Sequence, residues 1–207
     1  MLVLLLVVFV NFVGIGALIP VLPYTVIETL GLSATTMTLL LASFAFAMFL
    51  SNPLLGRLSD HVGRRPVLIF SLLVNVLAHI WFALSTDIVQ MFAARILAGL
   101  AAGNTGVIQA MIADRVNPRE RARYMGLFGA AIGTGFVAGP ALGGLFSGLG
   151  EGPLHQAPFL LAAGFGTIAL LLSLRLHERA TKATASIAAK TLLLDRIKIV
   201  FRSELTL

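Results

Sequence analysis

The chain has no cysteine, one tryptophan, two tyrosines and few charges; Asp, Glu, Lys and Arg make up 12% of its 207 residues. Without cysteine there is no disulfide framework and no thiolate metal site. An ordinary soluble domain carries about 25% charged residues, so the shortage of charge excludes that class. No nucleophile–base pair, phosphate-binding loop or cluster of metal ligands is recognisable. Neither an enzymatic activity nor a metal or cofactor is therefore expected. Asn75 and His79 stand one helical turn apart, but two such side chains make a poor metal site and read as a packing hydrogen bond. His61, His155 and His177 fall outside the apolar stretches and belong to no motif.

What the chain does have is apolar sequence: 58% hydrophobic residues and a mean hydropathy of +0.97. Six stretches approach the length of about 20 residues that crosses a bilayer. They are Leu2–Leu22, Thr35–Leu55, Val67–Leu84, Ile88–Ala113, Tyr124–Leu145 and Ala157–Leu174. Proline and glycine inside them do not forbid helix, because neighbouring spans can satisfy the freed backbone groups. The predicted fold is all-α, a membrane bundle of six helices. The first stretch has no charged leader and no small-residue cleavage site, so it reads as a retained span rather than a signal peptide.

The net charge of +6 invites a nucleic-acid partner, but its placement excludes one. The segments after spans one, three and five hold Glu28, Asp87 and Glu151 and no Lys or Arg. The segments after spans two, four and six hold Arg57, Arg64, Arg65, then Arg115, Arg119, Arg121, Arg123, then Arg175, Arg179 and Lys182. Arg95 is the one basic residue inside a span. Basic loops stay in the cytoplasm, which puts both termini there. The bundle is expected over residues 1–178, with 179–207 beginning a cytoplasmic linker. Leu192–Phe201 in that linker reads either as a basic amphipathic helix on the inner leaflet or as an incomplete connector.

Three regions carry more than composition. Gly56–Leu68, GRLSDHVGRRPVL, reads as a short loop between two spans. Gly63 suits a tight turn, Pro66 suits the first turn of the next helix, and Asp60 is placed to accept from exposed N–H groups at a helix start. In span five, Ala131, Gly135, Gly139, Gly143 and Ser147 recur every four residues as a ridge without bulk, with Pro140 able to bend the helix. In span four, Arg95 is expected to face the bundle interior or a cavity because of its burial cost; snorkelling to the outer headgroups is the alternative. At 100° per residue, Gly99, Ala102, Gly103, Gly106 and Gln109 lie near the face of Arg95, and Asn104 points away.

These strings resemble the major facilitator superfamily of transporters. Gly56, Leu58, Asp60, Gly63, Arg64, Arg65 and Leu68 match its cytoplasmic motif position by position. Gly135, Gly139, Pro140, Gly143 and Gly144 match the fifth-helix motif of its antiporters, and R-x-x-x-G-x-x-x-G from Arg95 matches its fourth-helix motif. NFVGIGALIPVLP in span one and MIADRVNPRERARYMG after span four are similar to tetracycline-efflux proteins. One departure is Asn11, where that family typically has Asp; an amide has no titratable proton. Asn11 is read either as a polar interhelical contact or as a substrate contact.

The resemblance implies half of a twelve-span transporter, built of two inverted three-helix repeats. It implies efflux of a small amphiphilic drug-like molecule, driven by protons through alternating access, in a bacterial inner membrane. Arg95 would bias a proton site, Asn11 and Gln109 would line the substrate path, and the Gly56–Leu68 segment would act as a latch in which Arg64 pairs with Asp114. The implied partners are the substrate, protons, the lipid bilayer, and a second six-helix half or second copy. The alternative is a membrane interaction module that does not transport. The cysteine-free sequence allows a direct test of topology: a cysteine placed at Glu151 should react with impermeant reagents from outside the cell, and labelling from the cytoplasm alone would reverse the assignment.

Overall fold

The computed structural model describes residues 1–23, 26–27, 31–147 and 157–176. The described residues are helical, with no strand among them. The helices are α1 (Leu2–Ala17), α2 (Val21–Pro23), α3 (Ala34–Val62), α4 (Arg64–Leu84), α5 (Ile88–Ala102), α6 (Thr105–Arg115), α7 (Arg121–Ser147) and α8 (Ala157–Leu174). Six units among them are long and apolar enough to cross a membrane: α1 with α2, α3, α4, α5 with α6, α7, and α8. Two starts are capped as their sequences suggest. Ser33 Oγ accepts from the Thr36 amide at 3.2 Å, and Asp87 Oδ1 from the Gln90 amide at 2.9 Å.

The packing order is α7, α1, α8, α4, α5–α6, α3. The first span packs on the fifth as the fourth packs on the second. The first packs on the sixth as the fourth packs on the third, and the third and sixth pack on each other. Exchanging spans one to three with spans four to six maps this pattern onto itself. Successive spans alternate in direction, so the exchange inverts them, and the bundle is two inverted three-helix repeats. One core cluster includes Leu4, Val7, Leu68, Leu72, Ile108 and Ile112; another, beside the Asp87 cap, includes Leu18, Leu22, Leu40, Phe82, Ala94 and Phe159.

Close backbone approach builds the two outer pairs. A Cβ at Gly139 would lie 2.6 Å from the Val13 carbonyl oxygen and 2.7 Å from the Ala17 amide nitrogen. At Gly135 it would lie 2.9 Å from the Phe12 Cβ, and at Gly143 it would collide with the Ala17 carbonyl oxygen. The ridge read from the sequence therefore faces α1. Gly144 does not belong to that contact: a Cβ there meets nothing within 4 Å. The second pair repeats the device, with Gly99 against the Phe44 carbonyl oxygen and Gly103 against Ser51 and Asn52. Small residues let helices meet by dispersion and backbone contact, the attractions available where lipid is as apolar as the side chains. On their other sides α3 and α7 expose large apolar residues, among them Phe46, Phe49, Leu54 and Val137. Such surface requires lipid or further protein.

The structure corrects the reading of Gly56–Leu68 as a loop. Gly56–Val62 forms the last two turns of α3, which runs unbroken through Pro53 for 29 residues, and α4 begins at Arg64. Gly63 is the single residue between them, at φ 110°, where an L side chain is strained. Asp60 consequently lies within a helix and does not cap one. Arg64 contacts Asp114 and Arg65 reaches the end of α8, so these two inter-helix junctions and the end of the sixth span share one side of the bundle. Glu28, Glu151, His155, His177 and the expected linker over 179–207 lie outside the described residues.

Gly139→Val should force α1 and α7 apart and lower the stability of the full-length protein by at least about 1–3 kcal/mol in thermal unfolding. Gly144→Ala should stay within about 0.5 kcal/mol of wild type. Equal losses would mean that the glycine ridge is not the contact that matters.

Candidate functional site

Three polar features interrupt the apolar bundle, and the fourth span runs through all of them. The first is a junction around Arg64. Its Nε lies 2.7 Å from Asp114 Oδ2 at the end of α6, and its Nη1 lies 2.8 Å from Asp60 Oδ1 in α3. Nη1 also donates to Ser59 Oγ at 3.1 Å, while Ser59 donates to the Gly56 carbonyl at 2.7 Å. One guanidinium thus ties the end of α3, the start of α4 and the end of α6. Arg65 adds the sixth span, donating through Nη2 to the carbonyl of Leu174, the last residue of α8, at 2.7 Å. The sequence places these side chains simply: Asp60 and Arg64 are four residues apart, and the one-residue joint at Gly63 keeps them on adjoining turns.

The second feature surrounds Arg95 in α5. Its residue exposure is 6%, and its guanidinium carbon sits 4.6 Å from the Phe82 ring centroid and 5.8 Å from that of Phe159. The two rings are themselves packed, with centroids 4.4 Å apart. A cation–π contact contributes about 0.5–2 kcal/mol. An Arg at a helix centre costs about 2.5–3.5 kcal/mol on insertion scales. Two such contacts total about 1–4 kcal/mol, comparable with that cost, and among the described residues Nε and Nη2 have no hydrogen-bond partner. His79 Nδ1 is 2.7 Å from the Asn75 carbonyl oxygen, which can only accept, so Nδ1 carries a proton.

The third feature is a break in the fourth span at Gly103 and Asn104, between α5 and α6. Asn52 of α3 takes up a freed donor, accepting from the Gly106 amide at 3.0 Å. Asn104 Nδ2 donates to Ser71 Oγ of α4 at 3.0 Å. Asn104 is buried at 1% exposure and Gln109 is exposed, while Gly99, Gly103 and Gly106 all face α3 on either side of the break.

The structure brings Asp60, Arg64 and Asp114 together, with Gly56 and Gly63 framing them and Arg65 alongside. It gathers Gly135, Gly139, Pro140 and Gly143 against α1 and leaves Gly144 off that contact. Asn11 is buried at 3% exposure, on a covered face of α1. Phe82, Phe159, Ser59, Ser71 and Asn52 were not singled out as site residues by sequence reasoning. An apolar residue that will stack on an arginine from another helix carries no local mark, and Asn52 beside Pro53 reads only as a bend. Among the described residues no group of three or more His, Asp or Glu is placed to hold a metal.

The family profile described as Major Facilitator Superfamily matches residues 4–207. The chain is 38% identical over 192 residues to the tetracycline resistance protein, class H, of Pasteurella multocida, covering 91% of this chain and 47% of that protein. It is 36% identical over 167 residues to multidrug resistance protein 2 of Bacillus subtilis (strain 168), covering 80% of this chain and 40% of the relative. The crystal structure of the human organic anion transporter MFSD10 (TETRAN) superposes with a TM-score of 0.71 at 26% identity, over 85% of this chain and 46% of that one. The chain spans about half the length of the curated relatives it matches.

The Arg64 junction makes a prediction independent of function. Its carboxylates are partly exposed, so each pair should contribute about 0.2–1 kcal/mol, and less at high salt. Arg64→Ala leaves two carboxylates without their shared cation and should destabilise the full-length protein more than Asp60→Asn or Asp114→Asn. Thermal melts of the three variants at low salt and in 1 M salt would show this ranking shrink; an unchanged ranking at high salt would argue against an electrostatic junction.

Proposed function

Because the chain belongs to the Major Facilitator Superfamily, we propose that it is the N-terminal six-helix half of an efflux transporter for small amphiphilic drug-like molecules. It is a multi-pass integral membrane protein. In this reading it lies in a bacterial inner membrane with the Arg64 side facing the cytoplasm, and a second six-helix half, or a second copy, closes the substrate path. The tetracycline-resistance and multidrug-resistance relatives support the substrate class.

The observation that carries the mechanism is Arg64 held at once by Asp60 of α3 and Asp114 of α6. Alternating access needs contacts on one face that close in one state and release in the other. Two partly exposed ion pairs total roughly 0.4–2 kcal/mol. A ligand shifts a two-state equilibrium by its differential affinity for the states, and a difference of that size suffices to open such a latch. The fourth span carries Arg95 on one side of its break and Asp114 on the other. A change in the surroundings of Arg95 therefore has a direct mechanical route to the latch through a single span.

Proton antiport is part of the proposal. Asn11 has no titratable proton, so the proton carrier lies elsewhere, in the second half or among groups near Arg95. Transport by the full-length protein in everted vesicles, measured against pH, tests the assignment. Asn11→Ala should raise KM several-fold and keep the pH profile. Arg95→Ala should flatten the profile. An unaltered profile for Arg95→Ala would make the arginine a structural contact, and absence of uptake by wild type would overturn the efflux reading.

A further inference from the structure

We infer that Ser59 is a positioning residue of the Arg64 junction: its buried hydroxyl fixes the guanidinium so that Nε faces Asp114 at the end of α6. Arg64 Nη1 donates to Ser59 Oγ at 3.1 Å, and Nε donates to Asp114 Oδ2 at 2.7 Å. Asp60 Oδ1 lies 2.8 Å from the same Nη1. Ser59 is fully buried, at 0% exposure. Its own proton is committed to the Gly56 carbonyl at 2.7 Å, so the oxygen turns only lone pairs toward Arg64. Ser59 is also held by its backbone, because its carbonyl accepts from the Gly63 amide at 3.1 Å where α3 ends.

Charge alone would arrange the junction differently. A guanidinium and a carboxylate pair most strongly through two parallel N–H···O bonds. With only the two carboxylates to choose between, the group is free to turn its fork onto Asp60, four residues away in sequence, and to leave Asp114 a contact screened by solvent. The acceptor at Nη1 opposes that rotation. Giving it up forfeits a charge-assisted hydrogen bond at a hydroxyl that water does not reach. The side chains of Asp60 and Asp114 are 41% and 29% exposed, so Ser59 is also the partner of Arg64 that salt weakens least. One buried hydroxyl thereby divides one cation between two spans. This positioning is independent of what the protein moves; its bearing on alternating access rests on the latch reading above.

Double-mutant cycles on the purified full-length protein test the assignment. The Arg64–Asp114 coupling is read from the thermal midpoints of Arg64→Ala, Asp114→Ala and the double variant. The Arg64–Asp60 coupling is read in the same way from Arg64→Ala and Asp60→Ala. Both cycles are then repeated with Ser59→Ala, which removes one hydroxyl and introduces the best helix former, so the fold should survive. Ser59→Ala should cut the Arg64–Asp114 coupling at least by half and leave the Arg64–Asp60 coupling undiminished. A general loss of stability cancels within each cycle and cannot produce that selectivity. An undiminished Arg64–Asp114 coupling, or equal falls in both, would overturn the proposal. Transport in everted vesicles separates it from the latch reading. If the coupling falls and Ser59→Ala transports like Asp114→Ala, both stand; if the coupling falls and Ser59→Ala transports like wild type, the positioning stands and the latch reading fails.

Discussion

Backbone against backbone is the contact on which the bundle rests. Where Gly139 and Gly143 meet Val13 and Ala17, there is no room for a side chain. Gly99 and Gly103 meet the second span in the same way. Lipid supplies no hydrophobic drive for helices to associate, so the gain must come from dispersion at short range, and short range requires glycine. The two tight pairs are equivalent under the exchange of the three-helix repeats, and the third and sixth spans join them. The outer faces of α3 and α7 are what this arrangement leaves uncovered.

Polar chemistry is confined to places where that packing gives way. At Gly103 and Asn104 the fourth span breaks; Asn52 accepts from the Gly106 amide and Ser71 from the Asn104 side chain, each from another span. Broken backbone is tolerated at membrane depth only where protein surrounds it. The break also divides one span into a half bearing a buried cation and a half bearing the carboxylate that Arg64 holds. The two arginines differ in kind. Arg64 has carboxylates from two helices and partial access to solvent. Arg95 has aromatic rings beside it and an unmatched edge. The first is a surface contact whose strength is easily changed; the second is a charge whose surroundings decide its stability.

Much of this was legible in the residues. The six spans follow from apolar length, and the common side of Arg64, Asp114 and the end of α8 follows from the placement of basic residues. The meeting of Asp60 and Arg64 follows from four-residue spacing. The four-residue repeat of small side chains marked the face of α7 that α1 covers. One reading failed, at the end of α3. Gly56–Val62 looked like loop because it is polar, yet a helix can continue past its apolar stretch when its exposed turns are solvated and a glycine ends it.

Sequence alone determined the number of spans, the side on which charge collects, and which helix surfaces could approach closely. Those properties depend on composition and on spacing within one helix. Only the tertiary structure decided that Phe82 and Phe159 lie against Arg95, that Asn52 mends the fourth span, and that Arg65 reaches the carbonyl of Leu174. Each of these joins residues from different helices, and the rotation and depth at which two helices meet are set by the packing of the whole bundle. No spacing within either partner encodes them.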